Sequence, residues 1–265
     1  MGAASVVPGI YGRTEEQYVG DLTGRTALIT GAGQNVGAQT ARVLAAQGAH
    51  VAVNDLFSDR AEHVVEEIRS EGGSAETAVC DVTDLEAVTE TFARVARIDI
   101  LINNAGIPVT GFTLKNFVDD DPSTWKSFVD LNVYGPMNCT YVVLAGMIER
   151  SWGRIVTISS ESARAGDRKL GAYAASKGAG PALMRALAKE VGRHGITCNS
   201  LSLATQRNAS LEDATDMTLG QLNAYMVPRL GRASDVAAAI AWLTSDDGAW
   251  VTGQTIPING GYQTS

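Results

Sequence analysis

Tyr173 and Lys177 stand four residues apart in Ala172 to Arg193, a stretch whose spacing predicts a helix, so both side chains project from one face. A free phenol titrates near 10, and a neighbouring ammonium favours the phenolate. Such a pair can exchange a proton with a hydroxyl or carbonyl oxygen near neutral pH. Out of context the same pair also fits an amphipathic helix on which Tyr packs and Lys snorkels. A second chemistry-bearing segment is Thr30-Gly-Ala-Gly-Gln-Asn-Val-Gly37. Its glycines let backbone N–H groups approach a pyrophosphate at a helix N-terminus, although a plain strand-to-helix turn is the alternative. The spacing reads G-x-x-x-G-x-G, with Asn35 where the middle glycine of the common fingerprint would stand. Asn tolerates positive φ better than most residues. Asp55 follows 24 residues after Gly31, where a carboxylate can accept hydrogen bonds from a ribose diol and would repel a 2′-phosphate.

Regular elements must hold these residues in place. Arg25 to Thr30, Ala49 to Asn54, Ala75 to Cys80, Asp99 to Asn103, Arg154 to Ser159, Ile196 to Ser200 and Thr255 to Ile258 read as seven short strands. Helical stretches separate them. One runs from Asn35 to Gly48. A second starts at Asp59 with Glu62 completing a capping box, and a third at Thr83 with Glu86. Asp121-Pro122 marks a further helix start, Asn132 to Glu149 a long helix, and Ser234 caps the last one. Strands apolar on both faces and alternating with helices predict an α/β fold: a single Rossmann-type doubly wound domain with a seven-stranded parallel sheet and helices on both faces. Residues 1–21 read as an N-terminal arm and 22–265 as one dinucleotide-binding and catalytic domain. Ligands of such sheets bind outside the carboxyl ends of the strands.

Composition excludes several classes. The chain has 265 residues, 45% of them apolar, with a net charge of −8. That is too apolar for disorder and too acidic for a phosphate-neutralising nucleic-acid binder. No apolar run nears the ~18 residues of a membrane span. Cys80, Cys139 and Cys198 have neither metal nor disulfide spacing and read as reduced, buried small hydrophobes. With no signal peptide in Met1 to Gly20, a cytoplasmic location is expected.

From Leu22 to Gly261 the chain resembles the short-chain dehydrogenases/reductases. The matching pieces are Thr30-Gly31 with Gly37, Cys80-Asp81-Val82, Asn103-Asn104-Ala105-Gly106, Ser159-Ser160, Tyr173-Ala-Ala-Ser-Lys177 and Asn259-Gly260-Gly261. The resemblance implies that Tyr173 is the acid/base, that Ser160 stabilises the reacting oxygen, and that Lys177 also holds the nicotinamide ribose. It implies that Asn132 holds a relay water and that Ser162 lines the substrate pocket. Spacing of 13 residues to Tyr173 favours Ser160 over Ser159. The cofactor contacts it implies are Gly31, Gln34, Asn35, Val36, Asp55, Leu56, Asp81, Val82, Asn104, Ala105, Gly106, Tyr173, Lys177, Gln206 and Asn208. Asp55, with Gln34 supplying no cation, favours NAD over NADP.

Leu203-Ala204 stands where the family commonly has Pro-Gly, which should change the path of that loop. A substrate lid is expected over about 206–230, with apolar positions such as Leu211, Met217 and Tyr225 that suit a hydrophobic substrate or a packing partner equally. Arg164, Arg168 and Lys169 suit a solvated basic loop better than an anion site. The expected activity is hydride transfer between NAD and a secondary alcohol or ketone, of hydrophobic or acyl type. An NADPH-dependent 3-oxoacyl-type reductase is the alternative, and a non-catalytic dinucleotide sensor a more distant one. The resemblance further implies a homotetramer or homodimer; no metal, nucleic acid or membrane partner is expected.

Overall fold

The computed structural model describes residues 20–111, 113–207 and 223–264. Seven strands form one sheet: β1 (Thr26–Ile29), β2 (His50–Val53), β3 (Ser74–Thr77), β4 (Ile100–Asn103), β5 (Gly153–Ser160), β6 (Ile196–Leu203) and β7 (Thr255–Ile258). Their order is β3-β2-β1-β4-β5-β6-β7, and every pairing is parallel. The central strands are short and apolar on both faces because helices cover both. α1 (Asn35–Ala46), α2 (Ser58–Ser70) and α8 (Ala233–Thr244) pack Leu44, Ile68 and Ile240 against Ile29, Val51 and Ile102. On the other face α3 (Leu85–Phe92), α5 (Gly135–Glu149) and α7 (Gly171–Val191) pack Phe92, Met147 and Met184 against Leu28, Leu101 and Ile155. α4 (Trp125–Val129) and α6 (Glu161–Arg164) are short and sit near the carboxyl ends of the strands. The chain order changes direction between β1 and β4, so the loops after these two strands diverge and leave a crevice between them.

Several boundaries differ from those the sequence suggests. α2 begins at Ser58 after Phe57, without a side-chain cap, rather than at Asp59. α3 is capped by Asp84, whose carboxylate accepts the N–H groups of Glu86 and Ala87, so Thr83 is not the cap. Ser234 lies inside α8; Arg232 precedes the helix and its N–H is taken by the Asp235 carboxylate. In α3 the better-placed Asp84 carboxylate thus takes orphan donors of the first turn. Asp121 does cap a turn with Pro122 at its first position, as expected, but the turn is 3-10 and only then leads into α4. The long helix expected from Asn132 begins instead as a π-turn, Asp130–Tyr134, before α5. β3 ends at Thr77, earlier than Cys80, and β6 runs on to Leu203.

Asn35 has φ +48 and opens α1 in the left-handed region, the use of Asn that the loop spacing suggests. That conformation costs an L-residue with a β-branch about 1–2 kcal/mol. Asn35→Val is therefore expected to lower unfolding free energy by that amount in urea titrations, while Asn35→Gly leaves it within about 0.5 kcal/mol.

Candidate active site

A cleft of about 840 Å³ runs along the carboxyl ends of the strands. Its walls carry the expected cofactor residues Gly31, Gln34, Asn35, Val36, Asp55, Leu56, Asp81, Val82, Asn104, Ala105, Gly106 and Gln206 together with Ser160, Ser162, Tyr173 and Lys177. Asn208 and most of the expected lid lie outside the described residues.

The loop after β1 is shaped by its neighbours. Asn104 Nδ2 donates to the carbonyls of Thr30 and Gly31, at 2.9 and 3.0 Å. Thr30 Oγ1 accepts from the N–H groups of Asn104 and Ala105. These bonds tie the ends of β1 and β4 together. Gly33 N–H donates to Asp55 Oδ2 at 3.0 Å, and a Cβ at Gly33 would come within 2.7 Å of that same oxygen. Glycine is thus required for the loop to close on Asp55. The other oxygen, Oδ1, accepts from Phe57 N–H at 3.1 Å. Gln34 caps α1 by position only, without a side-chain hydrogen bond. The first N–H groups of α1 therefore remain available to an anion in the cleft. The volume of the whole cleft lies within the ~300–1,000 Å³ usual for ligand pockets.

At the other end, β5 delivers Ser159 and Ser160 to opposite sides. Ser159 Oγ donates to Lys177 O at 2.8 Å and is locked under α7. Ser160 faces the cleft, where its Oγ accepts from Ser162 N–H. Alternation along the strand thus separates the two serines as the spacing to Tyr173 requires. Tyr173 packs edge-on to Phe128, with ring centroids 6.1 Å apart. Burial pushes the Tyr173 phenol up, a hydrogen bond with Ser160 pulls it down, and the charge of Asp167 pushes it up again. This reverses the lowering expected from Lys177. Burial outweighs the other influences on the phenol; Lys177 Nζ itself donates to Ile158 O at 3.1 Å, and burial holds its pKa down to about 8. A Cβ at Gly106 would collide with Lys177 Nζ and come within 2.9 Å of Asn132 Oδ1. Glycine there gives the amine its place.

Asn132 is not on the cleft wall. It is buried in the π-turn, and its Nδ2 donates to Ser176 Oγ at 3.1 Å, while Ser176 Oγ donates to Tyr173 O. It thus braces α7 between Tyr173 and Lys177. π-Turns recur at functional positions because they add a residue without breaking the helix.

The loop after β6 follows a defined path despite Leu203-Ala204. Gln206 forms a parallel bridge with Gly231, its Nε2 donates to Ala204 O, and Thr205 N–H donates to the Tyr225 hydroxyl. Gln206 is thereby folded into its own loop more than toward the cleft. Of the basic residues after Ser160, Arg164 is paired with buried Glu161 at 2.9 Å, and Arg168 lines the cleft. Cys139 and Cys198 are buried as expected, but Cys80 is half-buried and lines the cleft, accepting a hydrogen bond from Asn54.

Some cleft residues have no motif to announce them. Arg60 stands near Asp55 with its guanidinium 4.5 Å over the Phe57 ring. Its place in the first turn of α2 is the signal that could have found it. Asp167 lies between Ser160 and Tyr173, and Tyr262 directly follows Gly260-Gly261. Ile107, Val109 and Leu114 form an exposed apolar lip. Among the described residues, no helix is long and apolar enough to cross a membrane.

A folded-state pKa of about 8 against an unfolded value of 10.5 means that Lys177 weighs against folding. The penalty is full below pH 8 and fades as pH rises towards 10.5. Lys177→Met removes it and also forfeits one hydrogen bond. The variant is expected to be about 2 kcal/mol more stable than the parent at pH 7, with the gap closing above pH 8, in denaturant titrations across pH.

Comparison with known proteins gives a consistent picture. The family model described as enoyl-(acyl carrier protein) reductase matches residues 31–263. The chain is 33% identical over 246 residues to 7alpha-hydroxysteroid dehydrogenase of Escherichia coli K12, covering 91% of this chain and 94% of that protein. Its structure resembles that of a 3-oxoacyl-acyl-carrier-protein reductase with bound NAD from Brucella melitensis, with TM-score 0.87, 28% identity, and 100% and 99% of the two chains covered. It also resembles a gluconate 5-dehydrogenase from Burkholderia cenocepacia J2315 in complex with NADP and tartrate, with TM-score 0.84, 31% identity, and coverage of 92% and 97%.

Proposed function

The chain belongs to the short-chain dehydrogenase/reductase family and is a nicotinamide-dependent alcohol/ketone oxidoreductase, and from that premise we propose that it uses NAD to interconvert a secondary alcohol and its ketone, with Tyr173, Ser160, Lys177 and Asn132 in the roles described next. The observation that carries this reading is the convergence of Ser160, Tyr173 and Lys177 on the cleft that Asp55 and the Gly31–Gly37 loop close at its other end. When bound, the nicotinamide supplies the hydride acceptor or donor. Tyr173 takes the proton of the substrate hydroxyl or returns it to the carbonyl oxygen. Ser160 donates a hydrogen bond to the same oxygen, favouring the charge that develops there. Lys177, protonated below about pH 8, supports the phenolate through the ribose it would hold. Asn132 keeps α7 in register by way of Ser176, and a relay water beside it would return protons to solvent.

Asp55 supports NAD, since a buried carboxylate at the end of the glycine loop would repel a 2′-phosphate. Arg60 at the same end favours the alternative, an NADPH-dependent 3-oxoacyl-type reductase. The apolar lip of Ile107, Val109 and Leu114 supports a substrate with a hydrophobic body. We further propose one catalytic domain over 22–265 and self-association to a dimer or tetramer. Tyr134, Met137 and Tyr141, left exposed along α5 and the turn before it, support the latter.

Tyr173→Phe is expected to lower kcat by at least about 1,000-fold while changing NAD affinity less than about threefold, checked by steady-state rates and fluorescence titration. Turnover within tenfold of the parent would overturn the assignment. In equilibrium titrations the parent is expected to bind NADH more than about tenfold tighter than NADPH, and Asp55→Asn to narrow that ratio. Tighter binding of NADPH by the parent would assign the discriminating role to Arg60 instead.

A further inference from the structure

Asp167 sits in the turn between α6 and α7, where Gly166 at φ +81 and Lys169 at φ +69 bend the chain back towards the cleft. Its carboxylate accepts two hydrogen bonds, from Ser162 Oγ to one oxygen and from the Tyr262 hydroxyl to the other, the latter at 2.6 Å. Asp167, Ser162 and Tyr262 line the cleft together with Ser160 and Tyr173. This wall is braced from outside. The Tyr262 ring lies 5.5 Å from that of Tyr225, and the adjacent Gln263 carbonyl accepts from Arg164 and Asn259.

The two acidic residues of this wall differ. Glu161 is buried and neutralised by Arg164. Asp167 has no Lys or Arg partner among the described residues and is met by hydroxyls alone. An ionised carboxylate offers about four acceptor positions, of which two are taken. The Tyr262 phenol, pushed up to about 12 chiefly by its bond to Asp167, remains a donor throughout the working pH range. A ligand carboxylate placed here would meet a like charge, and the cations of Arg168 and Arg207, which also line the cleft, oppose a ligand ammonium. An uncharged donor meets neither obstacle.

We propose that Asp167, supported by Ser162 and Tyr262, receives a second, uncharged hydroxyl of the substrate, so that the preferred substrates are neutral diols or polyols rather than simple alcohols, amino alcohols or hydroxy acids. This deepens the oxidoreductase reading and rests on Tyr173 and Ser160 marking the reacting carbon. One hydroxyl gives its proton to Tyr173 and its carbon loses hydride to NAD, leaving a ketone. The second hydroxyl donates to Asp167 and is unchanged.

The test is a matched ring series: cyclohexanol, trans-1,2-cyclohexanediol, trans-2-aminocyclohexanol and 2-hydroxycyclohexanecarboxylate. Each is assayed for kcat/KM with NAD, and for affinity by calorimetry to the NADH-loaded protein, where the alcohols have no oxidant. The diol is expected to exceed each of the others about tenfold in both measurements, the size of one charge-assisted hydrogen bond. In Asp167→Asn the diol-to-cyclohexanol ratio is expected to fall below about threefold. Equal binding of diol and cyclohexanol by the parent overturns the proposal with no variant needed. So does a preference for the amine or the acid, or a folded Asp167→Asn protein that keeps the full diol preference. Diol-selective binding without turnover of any member supports the receptor and counts against the oxidoreductase reading.

Discussion

A lysine ammonium held out of water beneath the cleft is the constraint around which the site is arranged. Lys177 Nζ has one protein partner in the described residues, the Ile158 carbonyl, and burial alone draws its pKa towards 8. Such a group is tolerated only where the surrounding chain is fixed. Gly106 withholds a side chain from the space the amine fills, and Ser159 anchors the Lys177 carbonyl. Asn132 and Ser176 hold the turn of α7 between Tyr173 and Lys177. The π-turn that carries Asn132 is part of the same arrangement, since the extra residue brings a polar side chain to α7 within an otherwise apolar layer. The buried amine weighs against folding, and strain or burial of this kind is common at functional sites.

The opposite end of the cleft obeys a different rule. There the backbone, not a buried charge, is what has been shaped. Thr30 and Asn104 lace the ends of β1 and β4 together, and Asp55 takes the Gly33 N–H. The Asp55 carboxylate is therefore a structural member of the glycine loop, and it keeps acceptor positions beyond those its backbone partners use.

Strand positions and the facing of Tyr173 and Lys177 were legible because period and spacing are local properties of the chain. Helix starts were less so. Thr83, Asp59 and Ser234 each have the right side chain for a cap, yet Asp84, Phe57 and Arg232 occupy the position. Alternative helix starts one or two residues apart differ by less than the packing of the helix that follows, so the core chooses among them. Likewise the sign of the Tyr173 shift could not be read from Lys177 four residues away. It depends on burial, on Ser160 and on Asp167, which only the fold brings together.

The sequence by itself determined the alternating α/β architecture, the glycine loop with Asn35 in a left-handed conformation, Asp55 at the end of β2, and the Ser160, Tyr173 and Lys177 constellation. Each follows from short-range stereochemistry: side-chain direction along a helix or strand, and the φ range a residue tolerates. The tertiary structure alone decided what surrounds them. It placed Arg60 beside Asp55, turned Gln206 into its own loop, and brought Tyr262 from 95 positions away onto Asp167. The contact of Tyr262 with Asp167 joins segments remote in sequence, and its partners are set by how the layers pack, which no local pattern records.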